Sequence, residues 1–113
     1  MSIYELRLHA QPFEQIKSGL KTIEMRLLDE KRQLYKVGDV LIFKKRPEEV
    51  ETIKTKIVAM HKFPSFNELY KHFNKIQLGY LQNEVANYKD MEEYYSIQEQ
   101  QNFGVIGIEI KLI

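Results

Sequence analysis

Polar and apolar residues alternate from the first residues of the chain. In IYELRLHA, Tyr4, Leu6 and Leu8 interleave with Glu5, Arg7 and His9, the period of two expected of a half-buried strand. PFEQIKSG changes the period: Phe13, Ile16 and Leu20 fall on one side of a short helix, with Pro12 in its first turn and Gly19 as its C-cap. TIEMRL then returns to a strand, with Ile23, Met25 and Leu27 facing one way and Thr22, Glu24 and Arg26 the other. Val37, Gly38 and Asp39 make a turn that launches a third strand through Val40, Leu41, Ile42 and Phe43. Across KKRPEEVE, where Pro47 breaks the ladder, a polar connection leads to TIKTKIVAMHKF. That is a long strand whose Ile53, Thr55, Ile57 and Ala59 share a face.

From Pro64 to Asn102 the pattern is helical. Three capping-box pairs punctuate it, Ser65 with Glu68, Asp90 with Glu93 and Ser96 with Glu99, and Phe66, Leu69, Tyr70 and Phe73 form an apolar stripe. Gly104 ends the segment, and VIGIEIKLI closes as a strand with Ile106, Ile108, Ile110 and Leu112 on one face. The element order is thus β-α-β-β-β, a helical insertion, then β. Few strands are followed by a crossover helix, which argues against a parallel α/β fold. It predicts an α+β domain: a small mixed or antiparallel sheet of five to six strands, curled towards a barrel, with helices on its flank.

With 113 residues, 43% of them hydrophobic, the chain has material for one core, so residues 1–113 read as a single domain. No stretch is apolar for long enough to cross a bilayer, and the N-terminal residues carry no apolar leader, so the expectation is a cytoplasmic protein with no membrane partner. Seventeen basic residues oppose sixteen acidic ones, which excludes a chain-wide basic field and leaves nucleic-acid binding to a local patch. The chain has no cysteine, so thiolate metal sites and cysteine nucleophiles are excluded. His9, His61 and His72 lack metal-ligand spacing, and neither a nucleophile elbow nor a phosphate-cradling glycine loop occurs. No metal and no cofactor are expected.

Candidate chemistry concentrates in SGLKTIEMRL. Glu24 and Arg26, two apart on a strand, share a face, and the long stem of Lys21 can swing its ammonium over it. Lys21 and Arg26 suit a phosphate or base, and Glu24 an exocyclic amine or a proton. The competing reading is an exposed strand face with weak ion pairs. Lys44, Lys45 and Arg46 form a second basic group, which reads as a steering patch for an anion or as a solvated hairpin tip. Tyr94 and Tyr95 are one helical step apart, so one of them is core and the other lines a surface.

Three blocks, PFEQIKSGLKTIEMRL, YKVGDVLIF and YYSIQEQQNFGVIGIEI, make the whole chain resemble the ASCH domain family, small proteins with a PUA-like β-barrel. The first block carries that family's G-x-K-x-x-E-x-R signature on Gly19, Lys21, Glu24 and Arg26. The resemblance implies that these residues line a cleft walled by the insertion, where RNA or a nucleotide binds, with Lys44, Lys45 and Tyr95 as further ligand contacts. It also implies two enzymatic alternatives. In one, an amidohydrolase acts on a modified nucleoside such as N4-acetylcytidine, with Lys21 and Glu24 as its catalytic pair. Glu24 stands where that branch of the family has a threonine, and Glu68 or Glu84 would supply its distal carboxylate. The other alternative is a ribonuclease.

Overall fold

The computed structural model describes residues 1–113. Five strands, β1 (Ile3–Leu8), β2 (Ile23–Leu27), β3 (Val40–Lys45), β4 (Thr52–Phe63) and β5 (Val105–Leu112), form a single sheet in the order β1-β3-β4-β5-β2. The β1–β3 pair is parallel and the other three pairs are antiparallel. The sheet curls into a half-barrel, the α+β architecture of PUA-like domains. Helix α1 (Ala10–Lys17) follows β1, while α2 (Phe66–Tyr70), a 3₁₀ turn at Tyr88–Glu93 and α3 (Ile97–Phe103) lie in the insertion between β4 and β5. No helix is long and apolar enough to cross a membrane.

Two apolar clusters hold the sheet. Phe13 and Ile16 of α1 cover a core built on Leu6, Leu41, Phe43, Ile57, Ile106 and Ile108. The insertion makes the second, where Phe66, Leu69, Leu78 and Met91 pack on Ile23, Met25 and Leu27 of β2. That division puts the apolar face of β2 against the insertion, as its alternation requires.

Four local expectations give way to packing. Leu20 lies beyond α1 and is half exposed, because the Gln15 carbonyl accepts from both Leu20 N and Lys21 N and turns the chain towards β2. Ala59 does not share the face of Ile53, Thr55 and Ile57: the register shifts between Ile57 and Ala59, a bulge at Val58. Beyond it Met60 packs on the first core, while Phe63 joins the second. Leu112 is 42% exposed, past the end of the core that buries Ile106, Ile108 and Ile110.

The fourth concerns residues 71–87, which run as turns rather than helix. Asn74 and Gln77 bracket one turn reciprocally, each side-chain carbonyl accepting from the other's backbone N–H at 3.0 and 3.1 Å. Of the three capping pairs, only Ser96–Glu99 forms a complete box. Ser65 accepts from Glu68 N, whereas Asp90 sits inside the 3₁₀ turn that Asn87 caps.

Candidate functional site

The site begins where α1 hands over to β2. Lys21 precedes the strand, so its side chain is not bound by strand alternation and reaches the face that carries Glu24 and Arg26. Its Nζ lies 3.0 Å from Glu24 Oε1, while Arg26 Nε donates to Glu24 Oε2 at 2.7 Å. Lys21 and Glu24 are 7% and 2% exposed. Two of this triad of charges, Lys21 and Glu24, are therefore buried, with Arg26 partly so, and the reading of an exposed strand face with weak pairs is overturned. The insertion supplies the cover. Gln77 O accepts from Thr22 N and Ile23 N, both at 3.0 Å, which clips the loop onto the start of β2. Gly79, at φ +103°, lies so close that a Cβ there would sit 2.8 Å from Lys21 Cδ.

Burial would raise the Glu24 carboxyl, but the Lys21 ammonium and the Arg26 guanidinium outweigh it and hold it below the usual carboxylate range. Burial likewise opposes the charge on Arg26, and the Glu24 carboxylate more than offsets it. Both Glu24 oxygens are thus engaged by cations. Arg26 keeps its terminal nitrogens for other partners, with only Nη2 reaching the Arg7 carbonyl, at 3.4 Å.

This triad floors a cleft of about 470 Å³, within the range of small-ligand sites. Arg7 and Arg46 stand on one side of it and Tyr70, Tyr80, Asp90, Tyr94 and Tyr95 on the insertion side. There Tyr70 OH meets Tyr80 OH at 2.9 Å, and Tyr80 OH donates to Asp90 Oδ2 at 2.7 Å. Burial raises both phenols, so they remain neutral hydroxyls.

Of the residues singled out from sequence, Lys21, Glu24, Arg26 and Tyr95 come together here. Tyr94 is exposed while Tyr95 stacks on Phe66, and both line the cleft. Lys44 and Lys45 do not line it. Lys44 pairs with Glu5, and Lys45 with Glu14 and Glu51. Gly19 borders a separate small depression with Thr55 and Ile110. Glu84 is in the cleft, where it accepts from Gln11 Nε2 at 3.0 Å, while Glu68 is spent on Lys71. Arg7, Tyr80 and Asp90 were not foreseen. Arg7 reads as the wet side of β1, and Tyr80 and Asp90 meet only through a turn that no periodicity marks. Arg46 had a signal, since it ends the Lys44–Arg46 run. No group of three or more His, Cys, Asp or Glu side chains converges as a metal site would require.

A curled five-stranded sheet with a charged cleft between its second strand and an insertion defines a small PUA-like domain. The chain belongs to the ASCH domain family, whose model matches residues 6–113. It is similar in structure to the hypothetical protein PH0355, at 29% identity and a TM-score of 0.81, over 98% of this chain and 99% of that one. The solution structure of PF0455 from Pyrococcus furiosus is 30% identical with a TM-score of 0.71, covering 98% and 97%. The ASCH protein of Zymomonas mobilis, in its S128A form, shares the fold at 16% identity and a TM-score of 0.67, over 95% of this chain and 66% of that longer one. No curated protein matches the chain.

Proposed function

We propose that the protein binds RNA or a nucleotide in this cleft, with Lys21, Arg26 and Arg46 as its cationic contacts and tyrosines as its stacking wall. The observation that carries this reading is the charged triad. Two cations share one carboxylate, so the floor keeps one positive charge in excess, and the free end of the Arg26 fork is available to a phosphate. Tyr94, 59% exposed on the rim, offers a ring to an unstacked base. Membership of a family thought to bind RNA supports the same ligand class. Fluorescence anisotropy with labelled single-stranded RNA at low salt tests it. We expect saturable binding that weakens at least ten-fold in Arg26→Ala, about the value of one charge-assisted contact. A flat titration for the native protein would refute the reading.

The same triad permits an amidohydrolase reading, because Lys21 and Glu24 are buried in contact beside the cleft. Its weak point is Glu24: a carboxylate held ionised by two cations is a feeble general base near neutral pH. Release of free cytidine from N4-acetylcytidine, absent in Lys21→Ala, would establish this chemistry. Equal blanks for both proteins would remove it for that substrate.

A further inference from the structure

The cleft has two chemically different ends, and a few contacts fix their order. Along the floor, Glu24 separates Lys21 from Arg26. Gly79 packs directly on the Lys21 stem, which places its neighbour Tyr80, and through it Asp90, at the Lys21 end. Arg26 reaches the Arg7 carbonyl, and Arg46 N donates to the Leu8 carbonyl one residue on, so the three arginines that line the cleft belong to its other end, where Arg7 Nε is held by Glu49 at 2.8 Å. Lys21 Nζ is turned onto Glu24 Oε1 at 3.0 Å, so the arginine end offers guanidinium donors and the other end offers the Asp90 carboxylate as an acceptor.

At the accepting end, a single proton decides the direction of the hydrogen bonds. Tyr80 OH has one hydrogen, and its shortest acceptor is Asp90 Oδ2, so the Tyr70 hydroxyl donates to Tyr80. The chain Tyr70–Tyr80–Asp90 fixes Oδ2 and leaves Oδ1 of Asp90 to accept. No lysine, arginine or histidine pairs with Asp90, and it shares the cleft wall with Tyr94.

We infer that the cleft holds its ligand in one orientation and selects the base: the phosphate lies among Arg7, Arg26 and Arg46, and Asp90 accepts an exocyclic amine. Asp90 is then a specificity-determining residue, because a keto oxygen in the place of that amine meets a carboxylate with no hydrogen to share. The inference rests on the proposed nucleotide-binding function. The same chemistry fits a free mononucleotide and a splayed-out nucleotide of an RNA strand.

The test is calorimetric titration at low salt with CMP, UMP and cytidine. CMP and UMP differ at one exocyclic group, an amine against a keto oxygen, and at the adjacent ring nitrogen, an acceptor in cytosine and an N–H in uracil. A C-rich and a U-rich RNA oligonucleotide form a second arm. We expect CMP to bind about ten-fold more tightly than UMP, the effect of one hydrogen bond to a charged acceptor. Cytidine should bind more weakly than CMP, with that gap shrinking in Arg46→Ala. Asp90→Asn should abolish the preference for CMP, and Tyr80→Phe, which keeps the ring but frees Asp90, should blunt it. A preference confined to the oligonucleotides supports the inference and assigns the ligand to RNA. Equal affinity for C and U ligands, with oligonucleotide binding that still depends on Arg26, overturns the inference and leaves the parent reading intact. No binding by any of these ligands overturns both.

Discussion

Glu24 is the residue on which the site turns, and its importance lies in burial rather than in charge alone. Exposed pairs such as Arg7–Glu49 contribute little, so Glu49→Ala should shift stability by less than about 0.5 kcal/mol. Glu24→Ala strands two cations beneath the insertion and should cost about 3–5 kcal/mol in urea denaturation. The pH dependence follows from the lowered carboxyl. A group whose native value lies below its unfolded value contributes in full above the unfolded value, here the ordinary glutamate value of 4.5, and loses that contribution as pH falls through the native value. The stability gap between the native protein and Glu24→Gln should therefore be constant near neutrality and close progressively below about pH 4.5. A gap that widens on acidification would contradict the assignment. At this scale the sequence was informative about identity and blind to environment. Spacing placed Glu24 and Arg26 on one face and left Lys21 in reach, yet nothing local distinguishes a solvated face from one covered by residues more than fifty positions away. The same blindness applies to Lys44 and Lys45: their run suggests a basic patch, and Glu5, Glu14 and Glu51 neutralise it from other elements.

At the scale of elements, the insertion decides whether β2 carries a site. Capping pairs correctly marked where turns begin, but a cap stabilises only a first turn, and the residues after Tyr70 do not sustain a helix. Asn74 and Gln77 satisfy each other's backbone instead, a competition that amide side chains win in short segments. The resulting loop brings Gly79 onto Lys21, a proximity invisible to periodicity. Gly79 and Gly38 both adopt positive φ, +103° and +97°, but a Cβ on Gly38 meets nothing within 4 Å. Each alanine variant should lose about 1 kcal/mol or more to backbone strain. Only Gly79→Ala must also displace Lys21, so it should weaken RNA binding several-fold where Gly38→Ala leaves it unchanged. Equal binding by the two variants would show that the loop does not position the lysine. The β4 bulge makes a related point: alternation predicts faces only while the register holds, and the extra residue at Val58 changes which residues face the second core.

For the whole molecule, the order of the strands was legible because each is an apolar run or alternation bounded by turn and capping residues. The parallel β1–β3 pairing was not, since it depends on β2 leaving for the far edge of the sheet beside β5. That excursion creates the cleft: β2 pairs through only one of its edges, and its charged residues line the cleft together with the end of β1 and residues 70–95 of the insertion. Charge at this scale is nearly balanced at +1, so long-range attraction to RNA would be weak and the proposed binding would rest on the few cations at the cleft. Contacts to about two or three phosphates predict a slope of log affinity against log salt of roughly −1.4 to −2 for single strands, a loss of about seven- to twenty-fold between 50 and 200 mM. Removing Arg46 should reduce the slope by about 0.7, while Lys54→Ala and Lys62→Ala, exposed on β4 and outside the cleft lining, should leave it unaltered. A steeper slope, near that of proteins that neutralise six or more phosphates, would move the interface from the cleft to a wider surface of the sheet.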